Sequence, residues 1–460
     1  MAIDVSQSPG HIHFIGIDGI SMSALATVMQ KRGWRVSGSD VKISPLTQKL
    51  IDGGATFHLG QSAVNITDPD IVVYTAAVKA DNPELIQARR QGVTVLTRAE
   101  LLGSLMQEAR CGIAISGAHG KTTTTALIGL MLEEGGCDPT VLIGGELDAL
   151  GGNVKVGAPD YFVAEACEYY ETFLSLKPEI GVILNIDADH LDYFGDIVNI
   201  RHAFRRFAEL IPASGALIAC IDDQNVKDIL GGLACNIVSY GLNSQADWSA
   251  SGITATPGGG SSFSVLHKGV SLGEAHLSVP GRHNILNALA SLAVGHLVGI
   301  SWAAMVHTLG IFRGTHRRFE FKGTYNNALI IDDYAHHPTE IVATLAAAAE
   351  RRPHRLIVVF QSHTYTRTHA LLAEFAAAFG DADVVVITDI YAARERNVSG
   401  VTGETLARAV SHYHPNVVYR ASLDEAAAYL RDNVVPFDMV ITMGAGDVHT
   451  VGEQLLGQHK

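Results

Sequence analysis

Between residues 115 and 125 the chain reads ISGAHGKTTTT, a run with the residue types of a phosphate-binding loop. Gly120, Lys121 and Thr122 form the Gly-Lys-Thr triplet, but Ile115 stands where such loops usually begin with glycine. The shortened loop keeps its chemical parts. Gly117 and Gly120 permit a tight turn, Lys121 brings a point charge for the outer phosphates, and the Thr122 hydroxyl can ligate Mg2+. It lies between GIAIS (112–116), which reads as a strand, and TTTTALIGLMLEE (122–134), which reads as a helix ending at Gly135 and Gly136. A turn so placed aims backbone N–H groups and the positive end of a helix at one point, so the pattern predicts phosphate binding.

Phosphoryl chemistry also needs a divalent metal and hard ligands near strand ends. Glu165 ends the buried run YFVAE (161–165), and NIDADHLDYFG (185–195) packs Asp187, Asp189, His190 and Asp192 into a short loop after GVILNI (181–186). Taken alone, such an acidic loop is more often a solvated helix cap; beside a phosphate loop it becomes a candidate metal site. A second glycine-bearing turn, HFIGIDGISMSALA (13–26), has the place of a dinucleotide fingerprint, with Asp40 closing SGSD after the next strand. Asp18 and Ser21 occupy the second and third glycine places, so the turn argues poorly for NAD.

The elements that must position these residues alternate in type. HFIGI (13–17), IVVYT (71–75), GIAIS, YFVAE, GVILNI, ALIID (328–332), LIVVF (356–360), VVVIT (384–388) and MVITM (439–443) read as buried strands separated by helical stretches. That alternation predicts an α/β chain with parallel sheets. Three blocks are expected: a Rossmann-like domain (1–107), a central P-loop ATPase-type domain (108–313) and a C-terminal Rossmann-like domain (314–460). From Ala246 to Val279 turn residues and alternating apolar positions predict a small antiparallel appendage to the central block, followed by a helical stretch at 281–299. A length of 460 residues with 47% hydrophobic and 17% charged residues fits such a multidomain globular chain. The formal net charge of −14 argues against general nucleic-acid binding. Five cysteines without CxxC spacing read as reduced thiols, and no signal-like or membrane-spanning run is visible, so a cytoplasmic location is expected.

Together the motifs resemble the Mur ligase family, ATP-dependent enzymes that add amino acids to the peptidoglycan precursor. The resemblance rests on GAHGKTTTT (117–125), EACEY (165–169), NIDADHLD (185–192), GRHNILNA (281–288), GTHRRFE (314–320), DDYAHHP (332–338), QSHTYTRT (361–368), ARE (393–395) and GAGD (444–447), and spans nearly the whole chain. Within the family, HFIGIDGISMSALA, DDYAHHP and QSHTYTRT look most like the branch that joins L-alanine to UDP-N-acetylmuramate. The family uses the shortened loop.

The resemblance implies roles. Gly117, Ala118, His119, Gly120, Lys121, Thr122 and Thr123 cradle the ATP phosphates, with Thr122 and Glu165 on one Mg2+ and His190 on a second. Asn284 and Asn287, on one helix face, reach the adenine region; Arg318 and Asp332 reach the ribose and phosphates from across a cleft. Arg367 and Arg394 take the amino-acid carboxylate, with Tyr334, His336 and His363 near the reacting amine. Gly16, Gly19, Ile20, Ser21, Asp40, Thr75, Ala76 and Ala77 belong to the UDP-sugar site, where Asp18 repels a diphosphate unless it turns away. Thr364 stands where many of these ligases carry arginine, and Cys167 replaces an acid common after the metal glutamate; both bear on amino-acid specificity. The alternatives are a recycling ligase that attaches a preformed peptide to the same sugar nucleotide, a nucleotide-dependent oxidoreductase, and a non-catalytic UDP-sugar sensor. Oligomeric state is not legible.

Overall fold

A computed structural model describes residues 9–457 except 76, 244, 257 and 258. Three sheets follow one another along the chain. The first holds β1 (His11–Ile15), β2 (Arg35–Asp40), β3 (Thr56–Leu59), β4 (Ile71–Tyr74) and β5 (Thr94–Thr97), all parallel in the order β3-β2-β1-β4-β5. Strand order reverses between β1 and β4, the place where open α/β sheets leave a crevice for ligand.

The central sheet has ten strands: β6 (Cys111–Ser116), β7 (Thr140–Leu147), β8 (Gly152–Lys155), β9 (Tyr161–Glu165), β10 (Ile180–Ile183), β11 (Ala216–Cys220), β12 (Asn236–Gly241), β13 (Trp248–Ala255), β14 (Ser261–His267) and β15 (Val270–Leu277). Its order is β15-β14-β13-β12-β11-β10-β6-β9-β7-β8. β6, β10, β11, β18 (Leu356–Phe360) and β21 (Met439–Met443) are largely apolar and buried on both faces, as strands covered by helices on either side must be. The antiparallel appendage is present as β13-β14-β15, but it is not a separate unit. β13 pairs in parallel with β12 at Tyr240–Trp248 and Gly241–Ser249 and so prolongs the main sheet.

The last sheet runs β16 (Glu320–Tyr325), β17 (Ala328–Asp333), β21, β18, β19 (Val384–Ile387), β20 (Val417–Tyr419), parallel except for the β16 edge. The chain is thus a three-domain α/β protein. No helix among the described residues is long and apolar enough to cross a membrane.

Two strand ends differ from the sequence expectation for one reason. β1 stops at Ile15 and β10 at Ile183, short of HFIGI and GVILNI, because the backbone beyond each is given over to a loop. Gly16 turns at φ 85°, and Asn185 leaves the ladder to hold the phosphate loop.

Candidate active site

The phosphate loop follows β6 and opens the helix Lys121–Glu134. Gly117 (φ 148°) and Gly120 (φ 85°) bend it. A Cβ on Gly120 would lie 2.7 Å from Asn287 Oδ1, and one on Gly117 would lie 2.9 Å from Leu184 Cβ, so both conformation and space require glycine here. No side chain caps this helix, which leaves first-turn N–H groups for an anion. Asn185 braces the loop: His119 N–H donates to Asn185 Oδ1 (2.8 Å), Asn185 Nδ2 donates to His119 O (3.0 Å), and Ala118 N–H donates to Asn185 O.

Around the loop, charged groups converge. Lys121 Nζ donates to Gly117 O, to Ala118 O (3.2 Å) and to both oxygens of Glu168 (3.1 and 2.9 Å). Burial alone would lower the Lys121 pKa; Glu168 outweighs it, with Glu165 adding to the effect, and the ammonium titrates above its ordinary range. Gly144 N–H donates to Glu165 Oε1 (2.5 Å), and a Cβ on neighbouring Gly145 would touch the Thr122 methyl at 3.0 Å. Thr122 and Glu165 therefore abut one short stretch of β7. His190 sits at φ 54°, its ring stacked on Tyr169 at 4.2 Å, with Nε2 3.9 Å from Glu168 and 3.8 Å from Asp189. Burial lowers its pKa despite Asp189, which keeps the imidazole neutral and able to ligate. The hydroxyl and the carboxylates are hard oxygen donors of the kind that fit Mg2+ or Mn2+, and the neutral imidazole can add one nitrogen beside them.

Beside the loop, a cavity of about 490 Å3 opens between the central and C-terminal domains, lined among others by Thr123, His283, Asn284, Asn287, Arg318 and Asp333. Asn284 and Asn287 come together as expected, Asn287 Nδ2 donating to Asn284 Oδ1 at 3.2 Å. Arg318 reaches Glu340 at 3.5 Å and lies over the Tyr334 ring at 5.4 Å.

Asp332 does not line this cavity. Strand alternation turns it to the opposite face of β17, where Arg317 (2.8 Å) and Thr442 Oγ1 (2.8 Å) hold its oxygens. The next residue, Asp333, faces the cavity, its carboxyl pushed up to about 6 by burial against the pull of Arg318. His119 bridges domains: Nε2 bonds Asp187 (3.0 Å) and Nδ1 lies 3.3 Å from Glu340 on the helix Pro338–Ala349. Burial opposes its charge, but the two carboxylates raise its pKa to about 9.

A second cavity, about 170 Å3, lies farther along the same domain junction and is lined by Tyr169, Asp189, His190, His363, Arg367 and Glu395, among others. Arg367 forks onto Asp189, with Nη2 at 3.0 Å and Nε at 3.3 Å from Oδ1. Thr364, at φ 66° and heading the helix Tyr365–Ala370, accepts the Arg367 N–H and so aims that side chain.

His336 lies near but lines neither cavity. Its Nδ1–H donates to Tyr334 O (2.9 Å), and burial, against Glu340, pushes it down to about 4. Tyr334 likewise lines neither, packing under Arg317 and Arg318. Arg394 points to solvent: with Ala393 at φ 50°, the turn directs Glu395 inward instead, where it accepts the Thr366 N–H (2.9 Å).

At the N-terminal turn, Gly16 and Thr75 meet at the β1–β4 switch, 4.0 Å from the position of a Gly16 Cβ to Thr75 Cγ2, and Gly19 caps the helix Ile20–Lys31. Asp18 is turned away, accepting from Ser44 N–H (2.8 Å) and the Thr47 hydroxyl. Asp40 takes the Asp18 N–H (2.9 Å) and the Val41 N–H (2.7 Å), one on each carboxylate oxygen, and so braces the turn. Ser21 is half-buried, Ile20 O accepts Asn153 Nδ2 (2.7 Å) from the central domain, and Thr75 Oγ1 accepts the Ala77 N–H (3.1 Å). Ala76 lies outside the described residues.

Sequence reasoning assigned no role to Glu168, Asn185, Asp333 or Glu340, although each stands inside a quoted motif or within two residues of one. Their signal was position beside residues already singled out; what they touch depends on the fold.

Comparison with known proteins identifies the family to which this fold belongs. The model of the Mur ligase family, catalytic domain, matches residues 11–110, that of the Mur ligase middle domain residues 115–295, and that of the Mur ligase, glutamate ligase domain residues 317–446. UDP-N-acetylmuramate–L-alanine ligase of Caldanaerobacter subterraneus subsp. tengcongensis is 47% identical over 460 residues, 100% of each chain. The crystal structure of UDP-N-acetylmuramate-alanine ligase from Thermotoga maritima is 30% identical, with a TM-score of 0.82 over 97% of this chain and 98% of that one. A murein peptide ligase from Psychrobacter arcticus is 25% identical, with a TM-score of 0.71 over 97% and 98%. The chain belongs to the Mur ligase family.

Proposed function

We propose that this chain is the ATP-dependent ligase that joins L-alanine to the lactyl carboxylate of UDP-N-acetylmuramate in peptidoglycan precursor synthesis. The observation that carries this reading is the convergence of Lys121, Glu165, Glu168 and His190 on one loop at the junction where Arg318, Asp333 and Arg367 approach from the C-terminal domain. The block 1–107 holds the sugar nucleotide at the β1–β4 switch, 108–313 holds ATP, and 314–460 brings the amino acid.

A carboxylate is a poor acyl donor, so it is first activated. The lactyl oxygen takes the terminal phosphoryl group, ADP leaves, and the amine displaces phosphate from the acyl carbon. Thr122 with Glu165 and His190 with its neighbours would hold Mg2+, whose chemistry when bound is to offset negative charge. Lys121 and the loop N–H groups position the phosphates, which is most of what the protein contributes to phosphoryl transfer. Arg367, while paired with Asp189, supplies guanidinium charge for the amino-acid carboxylate. Location in the cytoplasm follows from these substrates.

A recycling peptide ligase is the closest alternative, given the resemblance to a murein peptide ligase. The cavity at Arg367, about 170 Å3, suits a small amino acid better than a peptide. Phosphate release with ATP, Mg2+ and UDP-N-acetylmuramate, tested with L-alanine, glycine, L-serine and L-Ala-γ-D-Glu peptides, decides between them. Release with L-alanine alone supports the proposal. Release with peptides alone supports recycling, and release independent of any amine contradicts both.

A further inference from the structure

Glu168 has a part that the reading above leaves open. It follows Glu165 by three residues, on the turn between β9 and the segment Tyr169–Ser175, and its side chain is 4% exposed. Both of its oxygens are on Lys121 Nζ. The lysine ammonium has three hydrogens, and in this geometry four acceptors share them: two Glu168 oxygens and the carbonyls of Gly117 and Ala118. None is left over for a phosphate.

For Lys121 to reach a triphosphate it must release some of these partners, and the carboxylate is the one whose charge the phosphates would replace. Glu168 then becomes a buried anion without a cation, a state that proteins avoid by pairing or by metal coordination. Its carboxylate Oε1 lies 3.9 Å from Nε2 of His190. Donor atoms about 3–4 Å apart can share one ion whose bonds are about 2.0–2.1 Å long. Asp189, also close to His190, is already forked by Arg367, and residue 167 is a cysteine, so Glu168 is the carboxylate left to pair with that imidazole.

We propose that Glu168 exchanges Lys121 for a divalent cation: as Lys121 turns to the phosphates, Glu168 joins His190 in holding the second ion. Glu168 thereby keeps Lys121 aimed at the loop until nucleotide arrives and couples its release to entry of the metal. This rests on the proposed ATP site.

The test is Mn2+ binding followed by electron paramagnetic resonance, with a non-hydrolysable ATP analogue present, on the full chain and on Glu168→Gln. The wild type should bind two Mn2+ ions per chain. Glu168→Gln should keep one and bind the other roughly tenfold or more weakly, while still unfolding in a single cooperative melt, at a lower temperature than the wild type, in the absence of nucleotide and metal. Should the glutamine variant fail to fold, Glu168→Asp, which keeps the charge and shortens the reach, must show the same weakening. Two ions at wild-type affinity in the folded variant, or a single ion in the wild type, overturn the inference while leaving the ATP site standing. No nucleotide-dependent Mn2+ in the wild type overturns both.

Discussion

The Lys121–Glu168 pair is buried at 16% and 4% side-chain exposure, so each charge depends on the other. Removing one leaves the partner uncompensated, which typically costs about 3–5 kcal/mol, whereas removing both costs much less. Lys121→Ala should therefore lower stability in urea by about 3 kcal/mol and abolish ligation. The double variant with Glu168→Gln should recover most of the stability and none of the activity. Equal loss in single and double variants would contradict the coupling.

His119 makes a second prediction. Its folded pKa, about 9, lies above its ordinary 6.5 because Asp187 and Glu340 overcome the effect of burial. Its stabilisation is thus full below about pH 6.5 and disappears as pH rises through about 9. His336, held near 4 by burial, stays neutral across that window. The melting temperature should fall between pH 6.5 and 9.5 in the wild type and fall distinctly less in His119→Asn.

At the scale of elements, the phosphate loop works because its turn is fixed from outside. Asn185, leaving β10, makes two side-chain hydrogen bonds to His119, each worth about 1 kcal/mol. Asn185→Ala should raise the KM for ATP roughly tenfold while the KM for UDP-N-acetylmuramate stays unchanged. An unaltered ATP KM would mean that the loop holds its own shape.

This loop was legible in the sequence because everything it needs is local: strand, glycines, Lys-Thr, helix. Asp333 was not. In DDY the two acids end a strand buried on both faces, so no polar–apolar alternation tells which one turns to the ligand, and only the Arg317 and Thr442 contacts assign Asp332 to the other side. The outward direction of Arg394 was likewise not legible, since it depends on a left-handed turn at Ala393 that no residue type announces. Asp18, which looked repulsive to a diphosphate, is absorbed by Ser44 and Thr47 from a segment some 26 residues on. Strands came out well where they are wholly buried, as in LIVVF and MVITM, and poorly at the edges, where β3, β16 and β20 carry mixed residues.

Across the whole molecule, the two cavities depend on how the C-terminal domain sits against the central one. Polar contacts span that junction: His119 to Glu340, Thr339 Oγ1 to Asp187 (2.6 Å), and Arg367 to Asp189. Glu340 also holds Arg318 and the His336 N–H, so one carboxylate ties the phosphate loop to the cavity wall. Glu340→Gln should loosen this closure, seen as a larger radius of gyration in small-angle X-ray scattering with nucleotide bound. It should also lower kcat about tenfold, because closure must precede chemistry. An unchanged radius with full activity would remove Glu340 from the account.

All of this serves one claim, that the loop at Gly117–Thr123 presents a triphosphate to a carboxylate that captures its terminal phosphoryl group. Ligation with UDP-N-acetylmuramate carrying 18O in the lactyl carboxylate tests it most directly. Capture followed by displacement predicts one 18O atom in each inorganic phosphate released. Inorganic phosphate without label, or label appearing in AMP, would contradict it.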